Sequence, residues 1–283
     1  MSELEPDKSG LREVRRILVE WIASAAAILA RKKVTDTDIH NARKLLKKSR
    51  GALRLLRASM GAIAYRRENA ALRDAARPLG VVRDSRVLIA ALDELIKHDS
   101  FRRILRQEQA QSRRALTRAL INKQRTALRA VIKRSERWRL QEDDWTVIGE
   151  GLRRTYRRGR KIFATAKDSR DAEHLHDWRK QVKYLWHQLQ ILEPLQPGRI
   201  AKLAARYHKL ADHLGDDHDL AVLRRKIESH GRAFQRTRDL DELLRRLDRR
   251  RVQLQAKAFT LGSRLFTDKP DRKIRGVLPP GFR

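Results

Sequence analysis

Between His40 and Arg57 the sequence holds seven Lys or Arg residues and no acid. At an α-helical period of about 100° per residue, four of them share an arc of about 60° that adjoins His40. Rigidly held Arg and Lys side chains suit phosphate binding, because Arg offers paired N–H donors and Lys a compact charge. A single basic helix is more often a solvated surface, so this stretch alone does not define a site. The cations are Arg43, Lys44, Lys47, Lys48, Arg50, Arg54 and Arg57, and those on the shared arc are Arg43, Lys47, Arg50 and Arg54.

The motif His-x-x-Arg-Lys-x-x-Lys occurs twice in the chain, at an offset of 136 residues. A second pair of motifs, L-G-V-V-R-D and L-G-D-D-H-D, follows in the same order at an offset of 135 residues. Repetition in the same order at nearly the same spacing indicates an internal duplication. Retention of the same cations in both copies favours a function over a solvated surface. The matched residues are His40 with His176, Arg43 with Arg179, Lys44 with Lys180 and Lys47 with Lys183.

The composition favours a polyanionic partner. The 283 residues carry a formal net charge of +32 and a sequence pI of about 11.4, and 41% of them are hydrophobic. Such a charge attracts nucleic acid, anionic membranes and polyphosphate, while the apolar content is sufficient for a core and argues against disorder. Aromatic residues, at 5%, are few for a platform that stacks bases. The absence of cysteine excludes disulfides, thiolate chemistry and zinc–cysteine sites.

No targeting or membrane-spanning segment is predicted. The first residues are acidic and lack the basic and apolar regions of a signal peptide. The longest apolar stretch, residues 21–30, is about ten residues long and too short to cross a bilayer. We therefore expect a soluble cytoplasmic protein.

The sequence pattern predicts helices throughout the chain. Apolar residues recur at helical spacing, alternating β patterns are absent, and no proline lies between Leu79 and Glu193. Residues 35–37 predict an N-cap for the first motif helix, which should end near Gly61. Residues 101–140 could form one helix or two. The other predicted helices cover residues 11–32, 65–77, 82 or 84 to 97, 145–166, 171–192, 199–214, 217–230 and 236–266.

An acidic break at residues 141–144 marks the predicted boundary between two halves. We expect an all-α fold in which residues 11–140 and residues 145–266 each form a four-helix bundle with long helices. The tail, residues 267–283, is rich in proline and is predicted to be irregular or loosely packed.

Together the four motifs resemble the CHAD family, the conserved histidine α-helical domain. They are the segments 40–50, 79–88, 176–185 and 214–223, and the resemblance extends over about residues 11–266. It implies two bundles, related by a pseudo-twofold axis, with a basic groove or pore between them that binds inorganic polyphosphate. Some members sit beside CYTH-type triphosphatase domains, and some localise to polyphosphate granules. The E-x-E-x-K triphosphatase signature is absent from the N-terminus, so a stand-alone member is expected.

The second motif copy departs from the first. Trp186 stands where the first copy has Arg50, and Gln190 stands where it has Arg54. The second half therefore carries a weaker row of cations, and the two halves are not expected to contribute equally.

The expected function is non-catalytic binding of polyphosphate, with no cofactor, metal or membrane partner and with granules as an expected location. His40 and His176 would donate to phosphate more strongly when protonated, so binding should tighten below about pH 6.5. Each histidine could instead only cap or pack at its helix terminus. Cations on neighbouring helices are also candidates, although each alone is more typical of a surface charge. The full predicted set is His40, Arg43, Lys44, Lys47, Arg50, Arg54, Arg73, Arg77, Arg83, His176, Arg179, Lys180, Lys183, Lys202, Arg206 and Lys209.

Two other functions fit parts of the sequence. The net charge favours nonspecific nucleic-acid binding, but the motif helices carry few Asn or Gln residues for reading base edges. The segments 176–177 and 216–219 contain His and Asp, which are the metal ligands of HD-type phosphohydrolases. Their first-half counterparts cannot supply the same ligands. Asp84 and Asp219, which follow the glycine of each L-G motif, are expected to cap a helix or to orient a motif arginine.

Overall fold

The computed structural model of the protein describes residues 3–6, 9–95, 99–138, 140, 145–230 and 237–278, without the side chains of residues 81–85, 100 and 237–239. Within these ranges the chain forms helices and no strand, so the all-α prediction is confirmed. The helices of the first half are α1 (Gly10–Ala30), α2 (Asp36–Leu55), α3 (Arg57–Met60), α4 (Ala62–Ala76), α5 (Pro78–Leu95), α6 (Asp99–Ala115) and α7 (Arg118–Ser135). Those that follow are α8 (Trp145–Ser169), α9 (Ala172–Leu192), α10 (Pro197–Ser229), α11 (Thr237–Leu265) and α12 (Pro270–Arg275), with a 3-10 turn at Glu193–Leu195.

The two motif helices, α2 and α9, both begin at capping residues. The Thr35 hydroxyl accepts a hydrogen bond from the Asp38 N–H at 3.2 Å, and the Asp38 carboxylate accepts one from the Thr35 N–H at 2.9 Å. At the start of α9 the Asp171 carboxylate accepts from the N–H groups of Glu173 and His174, at 2.9 and 2.8 Å. Each cap satisfies donors that a helix leaves unpaired, which stabilises it by about 1 kcal/mol.

The segment 101–140 forms parts of two helices. α6 ends at Ala115, and the Thr117 hydroxyl accepts from the Leu120 N–H at 3.2 Å to start α7. The first motif helix also differs from its prediction, because α2 ends at Leu55 and the short α3 completes the path to Gly61. Gly61 has a φ of 75°, which glycine adopts readily, and this conformation separates α3 from α4.

The helix with the second L-G motif is longer than predicted. Separate helices were expected over 199–214 and 217–230, but α10 is continuous and passes through Gly215. In the first half Pro78 separates α4 from α5, because proline has no N–H to donate and blocks a continuing helix. α5 therefore begins at Pro78 and not at residue 82 or 84. The equivalent residue of the second half is His213, which allows the helix to continue.

The prediction of an irregular tail is wrong for residues 267–278. α12 lies within this segment, and Ile274, Val277 and Leu278 are buried in the main core. The Tyr156 hydroxyl donates to the Asp268 carbonyl oxygen at 2.9 Å, which fixes the chain before the helix. Three closely spaced apolar residues supply enough burial to fold a segment that its prolines suggested was loose. Residues 279–283 lie outside the described part of the chain.

Apolar packing joins the two predicted halves. One cluster includes Leu53 of α2 and Trp178 of α9, both with 0% exposure. A second cluster packs Leu88 of α5 against Leu223 of α10 and Leu247 of α11. The core is therefore continuous across the predicted boundary, while the assignment of two domains stays a prediction. None of the described helices is both long enough and apolar enough to cross a membrane.

α8 crosses α2 at Gly151 with the two backbones in contact. A Cβ atom on this residue would lie 2.6 Å from the Leu55 Cα and 2.7 Å from the Arg54 carbonyl oxygen. Both atoms belong to the backbone of α2, so neither can move without displacing this helix. The crossing fixes how closely the first motif helix approaches the second half of the chain.

We predict that Gly151→Ala destabilises the protein by about 1–3 kcal/mol, the usual cost of overpacking a core. Urea unfolding followed by circular dichroism measures this change. Gly198→Ala is the matched control, because a Cβ there meets nothing within 4 Å. The control should be neutral or stabilising by up to about 1 kcal/mol. Equal stability of the two variants would contradict the close crossing.

Candidate anion-binding groove

The two motif helices direct their cations into the same concave region. Arg43 and Lys47 of α2 face Arg179 and Lys183 of α9 around a cavity of about 240 Å³. α5 and α10 complete this cavity with Leu88, His218, Asp219 and Val222, and its other lining residues are Arg50, His176, Lys180, Tyr184 and His187.

A second cavity of about 290 Å³ continues the first. It shares Arg43, Lys47, Lys183 and His187 with the first cavity. It adds His40 and Lys44 from α2, Trp186 from α9, and His208 and Asp212 from α10. We call the two cavities together the central groove.

The groove is strongly positive. Of the described residues that line its first cavity, six are Lys or Arg and one, Asp219, is acidic. Low-dielectric walls around a concave set of like charges concentrate their field, so an anion is attracted more strongly than to a flat surface. The arrangement suits a ligand with several negative charges.

The glycine of each L-G motif makes room for the motif arginine of its own half. A Cβ on Gly80 would lie 3.1 Å from Nη2 of Arg43, and a Cβ on Gly215 would lie 3.1 Å from Nη2 of Arg179. Nη1 of Arg43 also donates to the Gly80 carbonyl oxygen at 3.2 Å. Because the same pairing occurs in both halves, the two repeated motifs form one structural unit. Both glycines lie between the predicted helices, but in the structure both lie within helices.

The helix-cap prediction for the two aspartates is wrong. Asp219 lies inside α10, well away from the helix start at Pro197, and its side chain lines the groove beside His218. Asp84 lies inside α5, which starts at Pro78, and its side chain is outside the described set. Both positions are helix interiors because the preceding glycines do not end their helices.

Arg50 and Arg54 have different surroundings although both lie on the predicted arc. The Arg50 Nε donates to Asn69 at 3.1 Å, and the side chain lines the groove. The Arg54 guanidinium lies 3.5 Å from the Tyr184 ring centroid and donates to the Arg50 carbonyl oxygen at 2.5 Å. Burial lowers the pKa of Arg54. Arg54 therefore ties α2 to α9 through Tyr184, and its side chain is not among the described residues that line the groove.

Three histidines of the groove have pKa values below the ordinary range. Burial lowers the pKa of His176 to about 4, with Lys180 and Arg179 adding to the effect. Burial likewise lowers the pKa values of His187 and His218 to about 3. The rings of His176 and His218 are tilted by 30° to each other with centroids 4.3 Å apart, so protonating one disfavours protonating the other.

These histidines are neutral at pH 7 in the ligand-free groove. In the ligand-free groove, desolvation moves the protonation of His176 to lower pH. The tightening of binding below about pH 6.5 expected for His176 stays a prediction, because a bound anion would raise its pKa. His40 is exposed at the rim and does not share this environment. The two motif histidines therefore have different surroundings. His176 contacts His218, whereas the first half has Arg83 at the sequence position that corresponds to His218.

Sequence reasoning missed Tyr184, His187 and His218 as groove residues. The segment around His218 was considered only as a metal site, and Tyr184 and His187 lie after the last motif lysine, Lys183, with no pattern of their own. Their helical spacing is a usable signal, because Tyr184 and His187 follow Lys180 and Lys183 by four residues and therefore lie near them on α9.

Several predicted cations lie elsewhere. Arg73 and Arg77 are exposed and both pair with Asp74, at 3.0 and 3.2 Å. Local ion pairs of α4 thus account for them, and neither is among the lining residues of the groove. The side chain of Arg83 lies outside the described set. Lys180 pairs with Asp177 and does line the groove.

The three predicted cations of α10 also lie outside the groove. Lys202 and Arg206 line a separate cavity beside α12. Lys209 lines two other clefts, one of which shares Trp186, His208 and Asp212 with the groove. α10 contacts several elements around its circumference, and the sequence alone could not assign its cations to one side.

The segment 216–219, which was considered as a metal site, contains a residue that joins two helices. Asp217 is 2% exposed and accepts hydrogen bonds from Arg251 at 3.1 Å and Gln255 at 2.9 Å, so it joins α10 to α11. Across the described part of the chain, no group of three or more His, Cys, Asp or Glu residues is arranged to hold a metal ion.

A family model for the CHAD domain matches residues 14–228. The chain belongs to the CHAD family. Its fold is similar to the crystal structure of the CHAD domain from the plant Ricinus communis, with a TM-score of 0.64 and 17% sequence identity. This match covers 98% of the present chain and 94% of the plant chain. No curated protein matches the sequence. The resemblance seen in the four motifs is thereby confirmed, and CHAD helices position the groove.

Acid should destabilise this CHAD fold through its buried histidines. His187 is 3% exposed, and its folded-state pKa of about 3 is below the unfolded value of about 6.5. The unfolded state therefore binds the proton first, and stability is lost as the pH falls below 6.5 toward 3. The loss due to His187 approaches about 1.4 kcal/mol per pH unit.

Urea unfolding at a series of pH values between about 7 and 4 tests this linkage. We expect His187→Leu to reduce the slope of unfolding free energy against pH, whatever its effect on stability at pH 7. An unchanged slope in this variant would show that the ring titrates normally in the folded protein.

Proposed function

We propose that this CHAD protein binds inorganic polyphosphate in the central groove and does not alter it chemically. The observation that carries the proposal is the placement of Arg43 and Lys47 opposite Arg179 and Lys183 around one cavity. These residues come from matching positions of the duplicated motif. Their convergence supports a shared ligand and is not expected of cations that merely keep a surface solvated.

The chemistry of polyphosphate fits this arrangement. A linear phosphate chain offers repeated negative charge and no bases, so its receptor needs a row of donors and no stacking surface. From His40 to Arg50 the cationic face of α2 extends about 15 Å along the helix axis, at about 1.5 Å per residue. This length spans several phosphates. The aromatic residues of the groove are engaged by protein cations, Tyr184 by Arg54 and Trp186 by Lys183, and this disfavours base stacking.

The concave form of the groove favours a single thin chain over duplex DNA. Duplex DNA presents its phosphates on the outside of a thick rod and is bound by an open basic face. The cations here surround two connected cavities of about 240 and 290 Å³. A protein carrying +32 will also attract nucleic acid through charge alone, so the comparison must be made at physiological salt.

The histidine environment supports a binding role without catalysis. Nδ1 of His176 is buried and has no hydrogen-bond partner among the described residues. A catalytic base is normally held in place by such a partner, and Asp177, the adjacent acid, pairs with Lys180. We propose binding in the cytoplasm, with polyphosphate granules as the location. Phosphate release from polyphosphate on adding Mg²⁺ or Mn²⁺ would contradict the non-catalytic role.

We expect the variant Arg43→Gln/Lys47→Gln/Arg179→Gln/Lys183→Gln to bind long-chain polyphosphate at least about 100-fold more weakly, because charged hydrogen bonds contribute about 1.5–3 kcal/mol each. Calorimetric titration at about 0.15 M salt measures the affinity. The control removes four exposed cations outside the groove, Lys32, Lys33, Arg66 and Lys123, by the same substitution. It should lose much less affinity.

Two results of this titration would count against the groove. One is an equal loss in the control variant, which would mean that net charge alone binds polyphosphate. The other is binding of duplex DNA as tight as that of polyphosphate, which would favour the nucleic-acid function.

The glycines beneath the motif arginines should also matter for binding. In Gly215→Ala the new Cβ pushes the Arg179 guanidinium by a few tenths of an ångström, and we expect polyphosphate affinity to fall about threefold to tenfold. Helix stability should not fall, because alanine is the better helix former. Gly198→Ala, with open space around the added atom, is the control. Wild-type affinity in Gly215→Ala would show that the guanidinium position is unimportant.

A further inference from the structure

A second concentration of positive charge lies beside α12, away from the central groove. Its cavity has a volume of about 550 Å³. Of the described residues that line it, six are Lys or Arg and one, Asp268, is acidic. The cations are Arg199, Lys202 and Arg206 from α10 and Arg272, Lys273 and Arg275 from α12.

This cavity and the groove lie on different sides of α10. Lys202 and Arg206 are one turn apart on the helix and share a face. His208, which lines the groove, is about 160° around the helix from Arg206 at about 100° per residue. The two sets of cations therefore do not form one continuous surface across this helix.

The packing of α12 holds the second set of cations in position. Ile274, Val277 and Leu278 are 5%, 2% and 1% exposed and fix the helix against the core. Gln196, which precedes α10, donates from its side chain to the Val277 carbonyl oxygen at 3.1 Å. The turn before α10 and the segment after α12 are thus joined, so the cations of both helices face a cavity with fixed walls.

The charges in the cavity are not balanced within the protein. Asp268 contacts Lys273 at 3.6 Å and Arg272 at 3.7 Å, so one carboxylate serves two cations. The Lys273 side chain is only 14% exposed and lies 5.8 Å from the Tyr156 ring centroid. Burial lowers the pKa of Lys273, and the nearby charge of Arg206 adds to this effect. An anion in the cavity would offset the cost of desolvating Lys273 and the repulsion between the cations.

We propose that this cavity is a second anion site, which binds a compact phosphoanion of several charges such as an oligophosphate. Multiple Arg forks and the half-buried Lys273 can contact several phosphate groups at once. The volume exceeds that of either cavity of the groove, so it has room for more than one phosphate. The phosphoanion is either free in solution or a segment of a longer polyphosphate chain.

Tripolyphosphate is the probe, and the groove variant Arg43→Gln/Lys47→Gln/Arg179→Gln/Lys183→Gln is the background. We expect this variant to retain tripolyphosphate binding at about 0.15 M salt. Adding Lys202→Gln/Arg206→Gln should weaken the retained binding at least tenfold. Adding Lys32→Gln/Lys33→Gln, which removes the same charge at exposed positions outside the cavity, should change it less than threefold.

Two results would overturn the second site. One is complete loss of tripolyphosphate binding in the groove variant while the wild type binds. The other is equal binding after the 202/206 and the 32/33 substitutions. Lys273→Met, checked for folding by circular dichroism, gives an independent test from inside the cavity and should also weaken binding at least tenfold. A wrong groove proposal would give a result that differs from both of these. Tripolyphosphate binding would then be insensitive to the groove substitutions and sensitive to Lys202→Gln/Arg206→Gln.

Long-chain polyphosphate distinguishes the two sources of the ligand. With the groove intact, Lys202→Gln/Arg206→Gln should weaken long-chain binding if one chain reaches both sites, since the sites then act together. It should leave long-chain binding unchanged if the second site takes free oligophosphate. The tripolyphosphate titration tests the second site itself, and this comparison then shows which source of phosphoanion it takes.

Discussion

Repulsion between the cations of α2 and α9 is the constraint around which this fold is built. Arg43 and Lys47 face Arg179 and Lys183 across a cavity with little acidic charge to offset them. Like charges held together in a concave, weakly solvated site oppose folding. The opposing contribution comes from the other face of each helix, where buried apolar side chains contribute about 1.5–3 kcal/mol each. The groove thus depends on the core directly behind it.

Contacts with neutral groups of the protein limit this repulsion. The Arg54 guanidinium lies over the Tyr184 ring, and Arg43 donates to the carbonyl oxygen of Gly80. The buried histidines stay neutral, so they add hydrogen-bonding groups without further charge. A groove held in this way keeps its positive potential available to a ligand, which an equal number of salt bridges would cancel.

The two motif helices give the groove two walls of different character. The motif positions up to Lys47 and Lys183 are matched, whereas the next positions carry Arg50 in α2 and Trp186 in α9. Trp186 contacts Lys183, with the Nζ 5.6 Å from the ring centroid, and lies against His208 with ring centroids 4.0 Å apart. α2 therefore supplies a longer row of cations, while α9 supplies fewer cations among aromatic rings and neutral histidines.

The sequence by itself determined that the chain is helical, which face of the first motif helix is buried, and which cations the two motifs share. At about 100° per residue, Ile39, Ala42 and Leu46 fall opposite the cations of α2, and all three have 0% exposure. Periodicity reports such local facts because a helix repeats every 3.6 residues wherever it packs. The tertiary structure decided which exposed cations share a cavity. It separated Lys202 and Arg206 from the groove and brought in His187 and His218, because the packing of one helix against several others decides where each of its faces lies.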